Sequence, residues 1–415
     1  MDHMKYATAP PFYLMAKPIG AVCNLNCTYC YYLEKEKLYP KDPQRWMMNE
    51  KLLESFIAQY IYSSREPAVL FTWHGGEPIM RGREFFDTII RLQKKYASGK
   101  IIENALQTNG TTLTDDWCKF FKDNKFLIGL SIDGPEHCHD HYRLYRDKRP
   151  SFTNVMRGLE LLKKHHVEFN TLSVVNDYNA KYPLEIYRFL KGIGSRYMQF
   201  IPIVEWENPD ARPEELKILP ADWTKHAEVT DWTVDPVDYG NFHIRIFDEW
   251  VRKDVGEYYV VTFDCILANW LRMPPAICVY AQTCGNAGVV EHNGDVYSCD
   301  HYVFPEYKLG NIKDDVLLKY MTSPLQTQFG KNKRDTLPRY CRECEFLDIC
   351  NGECPKNRII KTPDGEPGLN YLCAGFKRLY KYVEPYMDFM ANEIIEKRAP
   401  SNVRKWAASR PYYIG

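Results

Sequence analysis

The sequence predicts an α/β fold, and three observations lead there. From residue 12 to about 203, short β-rich runs alternate with segments of helical periodicity. Beyond about residue 270 that alternation is lost. Eight of the 14 cysteines fall in this last third, and three more crowd into eight residues near the start. Alternating strands and helices call for a parallel sheet, because parallel neighbours need crossover connections. Six such units suit either an open doubly wound sheet or a partial barrel, and periodicity does not choose between them. At roughly 100–200 residues per domain, 415 residues leave room for more than one.

Taken in order, residues 12–16 read as the first strand. Asn49 caps a helix whose apolar face is Leu52, Leu53, Phe56 and Ile57, an i, i+1, i+4, i+5 pattern. Residues 69–73 form the next strand and 84–96 the next helix. Strands continue at 101–106, 126–131, 169–175 and 197–203, with helices at 115–123, 152–165 and 183–191. Residues 204–264, rich in Trp, Asp, Glu and Pro, read as a bridge with helical pieces at 221–228 and 239–253. The last helix is expected at 376–397. The domains are then 1–235 for the body, 236–269 for a helical linker, 270–375 for a cysteine-rich α+β domain, and 376–415 for a helix and tail.

Charge excludes one class of partner. Lys and Arg total 54 against 54 Asp and Glu, so no basic field recruits DNA or RNA. No run of 18 apolar residues marks a membrane span. Residues 1–20 lack the apolar stretch and small-residue cleavage site of a secretory signal, so a cytoplasmic location is expected. In that reducing compartment the cysteines read as metal ligands rather than a disulfide framework. Soft thiolates select zinc, Cu(I) or iron–sulfur clusters.

Cys23-Asn-Leu-Asn-Cys27-Thr-Tyr-Cys30 follows the first strand with C-x3-C-x2-C spacing. Three thiolates on one loop suit a four-iron cubane that keeps one iron free of protein, the open position of a catalytic metal site. Zinc with a distant fourth ligand is the competing reading, although zinc loops more often read C-x2-C or C-x4-C. The loop resembles the signature of the radical S-adenosylmethionine (SAM) enzymes, with Tyr29 as the aromatic residue before the last cysteine. That resemblance implies a partial (β/α)6 TIM-like barrel with its site at the C-terminal mouth of the strands. It also implies that the free iron chelates SAM, and that electron transfer gives methionine and a 5′-deoxyadenosyl radical.

Further matches fall at strand ends. Trp73-His-Gly-Gly-Glu77-Pro closes the second strand, and glycine permits close backbone approach. In this context Gly75, Gly76 and Glu77 resemble the family's contact to the methionyl amino group. Ser131 and Arg143 match SAM-contacting positions, and Val204 a contact near the adenine. Taken alone, Ser131 is a strand-end hydrogen bonder, Arg143 a solvated charge and Val204 a core residue. His137, His139 and His141 alternate as strand ligands would, but after a Gly-Pro turn they read as a polar loop.

In the last third, Cys278, Cys284, Cys299, Cys341, Cys344, Cys350, Cys354 and Cys373 suffice for two four-thiolate clusters. Two structural zinc sites are the alternative. The spacing resembles the SPASM domain of radical enzymes that modify peptides and proteins. The resemblance implies one auxiliary cluster on Cys278, Cys284, Cys299 and Cys354 and another on Cys341, Cys344, Cys350 and Cys373, making three [4Fe-4S] clusters in all.

With the Gln107-Thr-Asn-Gly110, Gly129-Leu-Ser-Ile-Asp-Gly-Pro135 and Tyr297-Ser-Cys-Asp-His-Tyr302 segments, the chain resembles the anaerobic sulfatase-maturating enzymes from about residue 12 to 385. Those oxidise an active-site Ser or Cys of a sulfatase to Cα-formylglycine, within an extended (Ser/Cys)-x-Pro/Ala-x-Arg segment. Asp300 matches their proton acceptor. Next to anionic clusters and away from water, its pKa is expected to rise. Tyr32 and Gln107 are candidates to line the peptide cavity, and a flavodoxin or ferredoxin is the expected electron donor. Another SPASM-type enzyme, forging thioether or carbon–carbon crosslinks, is the alternative activity. A zinc-stapled binding module is the non-enzymatic one.

Overall fold

Six parallel strands form the centre of the molecule, seen in a computed structural model that describes residues 11–39, 47–223 and 226–413. β1 (Tyr13–Lys17), β2 (Ala68–Trp73), β3 (Ile101–Thr108), β4 (Phe126–Ser131), β5 (Phe169–Val175) and β6 (Tyr197–Pro202) pair in that order, each parallel to the next. Between them run α1 (Glu50–Ser63), α2 (Arg83–Tyr96), α3 (Asp115–Asp123), the single turn α4 (Glu136–His139), α5 (Phe152–Lys164) and α6 (Pro183–Gly192). These are the strand–helix units of a partial barrel. Local chemistry sets their ends. Asn49 accepts the Leu52 amide at 2.9 Å and Thr114 the Trp117 amide at 3.3 Å, each satisfying a donor that has no partner inside its helix.

Alternation then buries one face. Val69, Phe71 and Trp73 of β2 are inward, and they join Leu52, Leu53, Phe56 and Ile57 of α1 in one apolar mass. A second mass gathers Met198 and Phe200 of β6 with Ile246, Phe247 and Trp250 of α7 (Pro236–Lys253). Phe376, Leu379 and Val383 of the long helix Cys373–Ile395 complete it. From sequence α7 starts at 239. The Asp235 carboxylate, accepting the Val237 amide at 2.7 Å, and Pro236 in the first turn begin it earlier.

Two features differ from expectation. Of residues 221–228, expected to be helical, the described ones are not: 221–223 follow Pro220 in a turn, 226–227 carry no helix, and residues 224–225 lie outside the described residues. Instead β7 (Trp206–Glu207) pairs antiparallel with β8 (Glu228–Val229). The segment carries no apolar repeat that could anchor a helix face. The second difference is that the sheet does not stop at six strands. β9 (Tyr259–Val260) extends it beyond β6, and α8 (Val261–Trp270) follows. At the other edge β10 (Ala287–Glu291) pairs parallel with β1, from Tyr13↔Ala287 to Lys17↔Glu291. β11 (Asp295–Tyr297) and β12 (Lys308–Asn311) continue antiparallel, giving the order β12-β11-β10-β1-β2-β3-β4-β5-β6-β9. The cysteine-rich region thus shares one sheet with the body.

The three histidines scatter. His137 pairs with Glu185 at 2.9 Å, His139 is buried against Ser151 at 3.0 Å, and His141 stacks on Tyr178 with ring centres 3.9 Å apart. Among the described residues no helix is long and apolar enough to cross a membrane.

Candidate active site

The mouth of the barrel is built by folding the chain after β2 onto the chain after β1. The amides of His74, Gly76 and Glu77 donate to the carbonyls of Ala16, Gly20 and Val22 at 2.9, 2.8 and 2.9 Å. A Cβ on Gly76 would sit 2.0 Å from the Val22 oxygen, and Gly75 has φ +131°. Only glycine allows that approach. These two residues therefore seat the loop carrying Cys23, Cys27 and Cys30. Glu77 is fully buried. Its oxygens accept the Thr108 hydroxyl at 2.9 Å and the Asn109 amide at 2.8 Å. Burial pushes its carboxyl up to about 7, against the pull of these donors.

Asp133, inside the quoted Ser-Ile-Asp-Gly stretch yet not among the predicted residues, is the hub of the next group. Its carboxylate binds Arg143 Nε at 2.9 Å, the Tyr29 hydroxyl, and the Val174 amide at 2.9 Å. Arg143 is thus buried and paired, and it also lies over the Tyr29 ring. Gln107 Nε2 donates to Ser131 Oγ at 2.8 Å. Val204 is buried, and its carbonyl accepts Lys356 Nζ at 2.6 Å; Lys356 also pairs with Glu205 at 2.8 Å. The body and the cysteine-rich region meet again where Lys35 lies 3.4 Å over the Phe304 ring.

The β1–β10 pairing brings Asp300 to this mouth. Its Oδ1 pairs with Lys17, and its Oδ2 accepts the Tyr31 hydroxyl at 2.5 Å. Burial pushes the Asp300 pKa upward, as expected, but the Lys17 ammonium, with His74 and His301, outweighs it. The expected rise is corrected: the carboxyl is held below the usual carboxylate range. Tyr32 is buried, with its hydroxyl 2.8 Å from both Glu291 oxygens. Its neighbour Tyr31 makes the direct bond to Asp300.

All fourteen cysteines are free thiols. Burial pushes Cys23 and Cys30 up and Cys27 to about 12; Cys27 and Cys30 further raise Cys23, and Cys30 raises Cys27. Cys299 is raised by burial and then by Cys354 and Cys278, and Cys278 also acts on Cys284. Separately, Cys373 is raised by burial and by Cys341 and Cys344, and Cys373 acts on Cys350. The last four line one cavity with Phe346, Phe376 and Tyr380. Influences thus run within the first three cysteines and within each of two later groups, of which only Cys341, Cys344, Cys350 and Cys373 share a cavity, and among the described residues no three His, Cys, Asp or Glu stand close enough to hold a single metal ion. Such sets, protonated when alone, fit soft metal clusters that displace the thiol protons.

Comparison with known proteins agrees. The radical SAM superfamily matches residues 18–190, and an iron–sulfur cluster-binding domain, SPASM, matches residues 282–345. A serine-type anaerobic sulfatase-maturating enzyme from Bacteroides thetaiotaomicron is 53% identical over 397 residues, 96% of this chain and 95% of that protein. A cysteine-type enzyme from Clostridium perfringens is 33% identical over 393 residues, 93% of this chain and 100% of its own. A solved structure described as native anSMEcpe with bound AdoMet and Cp18Cys peptide matches with a TM-score of 0.80 and 31% identity, covering 93% of this chain and all of that one. With more than half its residues shared along nearly its whole length, this chain belongs to the anaerobic sulfatase-maturating enzymes, radical SAM proteins that hold iron–sulfur clusters and use SAM.

Proposed function

We propose that the protein oxidises a Ser or Cys in an extended sulfatase segment to Cα-formylglycine, with Asp300 as proton acceptor. The observation that carries this reading is that Asp300, in the turn after β11, pairs with Lys17 at the end of β1 and accepts the hydroxyl of Tyr31, which follows the loop of Cys23, Cys27 and Cys30. Those three cysteines would hold the cluster that binds SAM. The sets of Cys278, Cys284, Cys299 and Cys354 and of Cys341, Cys344, Cys350 and Cys373 would hold two more. When bound, these groups and SAM, supplied with electrons by a flavodoxin or ferredoxin, provide the radical that takes a hydrogen atom from the target β-carbon and the path for the departing electron.

The chain's own residues do the rest. Gly75, Gly76 and Glu77 would hold the amino group of SAM, Tyr29, Ser131 and Arg143 would contact it, and Val204 would meet its adenine. Asp300, kept ionised by Lys17, takes the hydroxyl or thiol proton. Serine then yields the aldehyde directly, and cysteine a thioaldehyde that water hydrolyses. An ionised, partly enclosed carboxylate within reach of the reacting side chain is what such a transfer needs.

The test is anaerobic incubation of the reconstituted protein with SAM, dithionite and Ser- or Cys-containing motif peptides, followed by mass analysis. The Ser peptide should lose about 2 Da, the mass of H2 removed on oxidation. Iron and labile sulfide should each approach about twelve atoms per chain, as three four-iron clusters require. Asp300→Asn should keep that metal content and make no formylglycine. Full product from this variant would remove Asp300 from the reaction.

A further inference from the structure

Lys17 closes β1 with its side chain fully buried. An ammonium withdrawn from water is costly unless compensated. Here the compensation is specific. Its Nζ pairs with Asp300 Oδ1 and stands 3.5 Å from the centre of the Tyr32 ring. Tyr32 is itself anchored to Glu291, the β10 residue in register with Lys17. The lysine is therefore fixed by the ladder that joins the two halves of the chain. Its Nζ has no aligned hydrogen bond, so it acts on Asp300 as a charge at short range rather than as a directional donor.

The carboxylate is held from two sides. Lys17 takes Oδ1 and Tyr31 takes Oδ2, while the Asp300 side chain keeps 19% of its surface exposed. Tyr31 can release its bond by rotating its hydroxyl hydrogen; Lys17, packed on all sides, cannot move away. Among the described residues, Lys17 at the end of β1 is the cation whose ion pair with this carboxylate the structure shows.

Resting on the function proposed above, we propose that Lys17 is the positioning residue for the proton acceptor. It holds the Asp300 carboxylate toward the target side chain, so that proton removal keeps pace with hydrogen-atom removal from the same residue. In that step the O–H or S–H bond of the target breaks and a new O–H bond forms on Asp300. The electron pair left behind becomes the second bond of the carbonyl or thiocarbonyl as the remaining electron departs. Without Lys17 the carboxylate is misplaced, and the carbon radical takes one electron from the dithionite reductant and one proton from water, returning to the unmodified residue before its own O–H or S–H proton leaves.

The experiment compares Lys17→Met, which keeps length and packing but removes charge, with Lys17→Arg, which keeps charge. Both are prepared as holoprotein and given SAM, dithionite and a Ser peptide. The ratio of formylglycine to 5′-deoxyadenosine is measured. Lys17→Met should retain its iron and bind peptide as the parent does when no reductant is present. Its product ratio should fall by about 10²-fold or more, the scale of a lost acid–base contribution. Lys17→Arg should recover most of the ratio. An unchanged ratio in Lys17→Met, or equal failure of both variants, overturns the proposal. If Lys17→Met loses its clusters, the peptide-bound crystal structure of the parent decides: Lys17 must stay ion-paired with Asp300, and separation of the two overturns the assignment. A parent enzyme inert toward both Ser and Cys peptides would instead refute the proposed function itself.

Discussion

Around β2, Phe56, Tyr60, Phe71, Trp73 and Phe86 pack ring against ring, with centres 5.0 to 6.3 Å apart. All five are buried. Near the second set of four cysteines, by contrast, the helical turns Arg339–Arg342 and Leu347–Cys350 bury no residue at all. The paired strands there, Ile360–Lys361 and Pro367–Leu369, are two and three residues long. The first region is stabilised by area removed from water. The second leans on fewer apolar residues, Phe346 and Leu372 among them, and the clusters proposed for its cysteines would supply the rest of its order. One chain thus uses two sources of stability, and each should fail in its own way.

Replacing one cysteine is expected to have the largest effect. Cys350→Ala should let a protease cut between residues 338 and 372 while the β1–β6 body stays protected, read by peptide mapping of the digests. Cutting throughout the chain would erase the contrast. Truncating the aromatic lattice comes next. Phe56→Ala should lower the stability of the body by about 3–5 kcal/mol in thermal or denaturant unfolding, with the iron content unchanged at low temperature.

A smaller effect depends on pH. His243, in α7, is buried; Nδ1 shares a bond with the Tyr239 carbonyl at 3.2 Å. Burial pushes its pKa from 6.5 down to about 4. The folded chain keeps it neutral while the unfolded chain protonates it. Its contribution to stability is therefore intact above about pH 6.5 and lost as pH falls toward 4. At about 1.4 kcal/mol per pH unit, the loss reaches about 3 kcal/mol. His243→Gln should flatten that part of the decline in Tm against pH relative to the parent. The smallest effect is at the surface. Lys95→Ala breaks the exposed pair with Glu54, 2.7 Å long, and should leave Tm unchanged within error.

How much of this was legible in the sequence depends on the range over which each signal acts. β4 and β5 have the bounds their local pattern predicts, because turn residues flank a short apolar run. Spacing along one loop marks Cys23, Cys27 and Cys30 as a candidate ligand set, whereas the division of the eight later cysteines comes only with the family resemblance. The pairing of β1 with β10 joins residues more than 270 positions apart, and no local pattern records it. Lys17 consequently reads as an ordinary charged residue at a strand end. Its burial, and with it the lowered pKa of Asp300, follows only from the pairing. Asp133 stayed hidden inside a motif where Ser131 drew attention, since an Asp before Gly is usually a turn residue. The helix expected at 221–228 failed because composition was taken for periodicity.

The unbroken ladder from β12 to β9 has a consequence for access. Neighbouring strands are spaced by main-chain hydrogen bonds at about 4.8 Å, so the gap above β1 and β10 has no hinge with which to widen. If Asp300 acts as proposed, its approach is bordered by that fixed ladder, which suits an extended stretch of a client better than a folded surface.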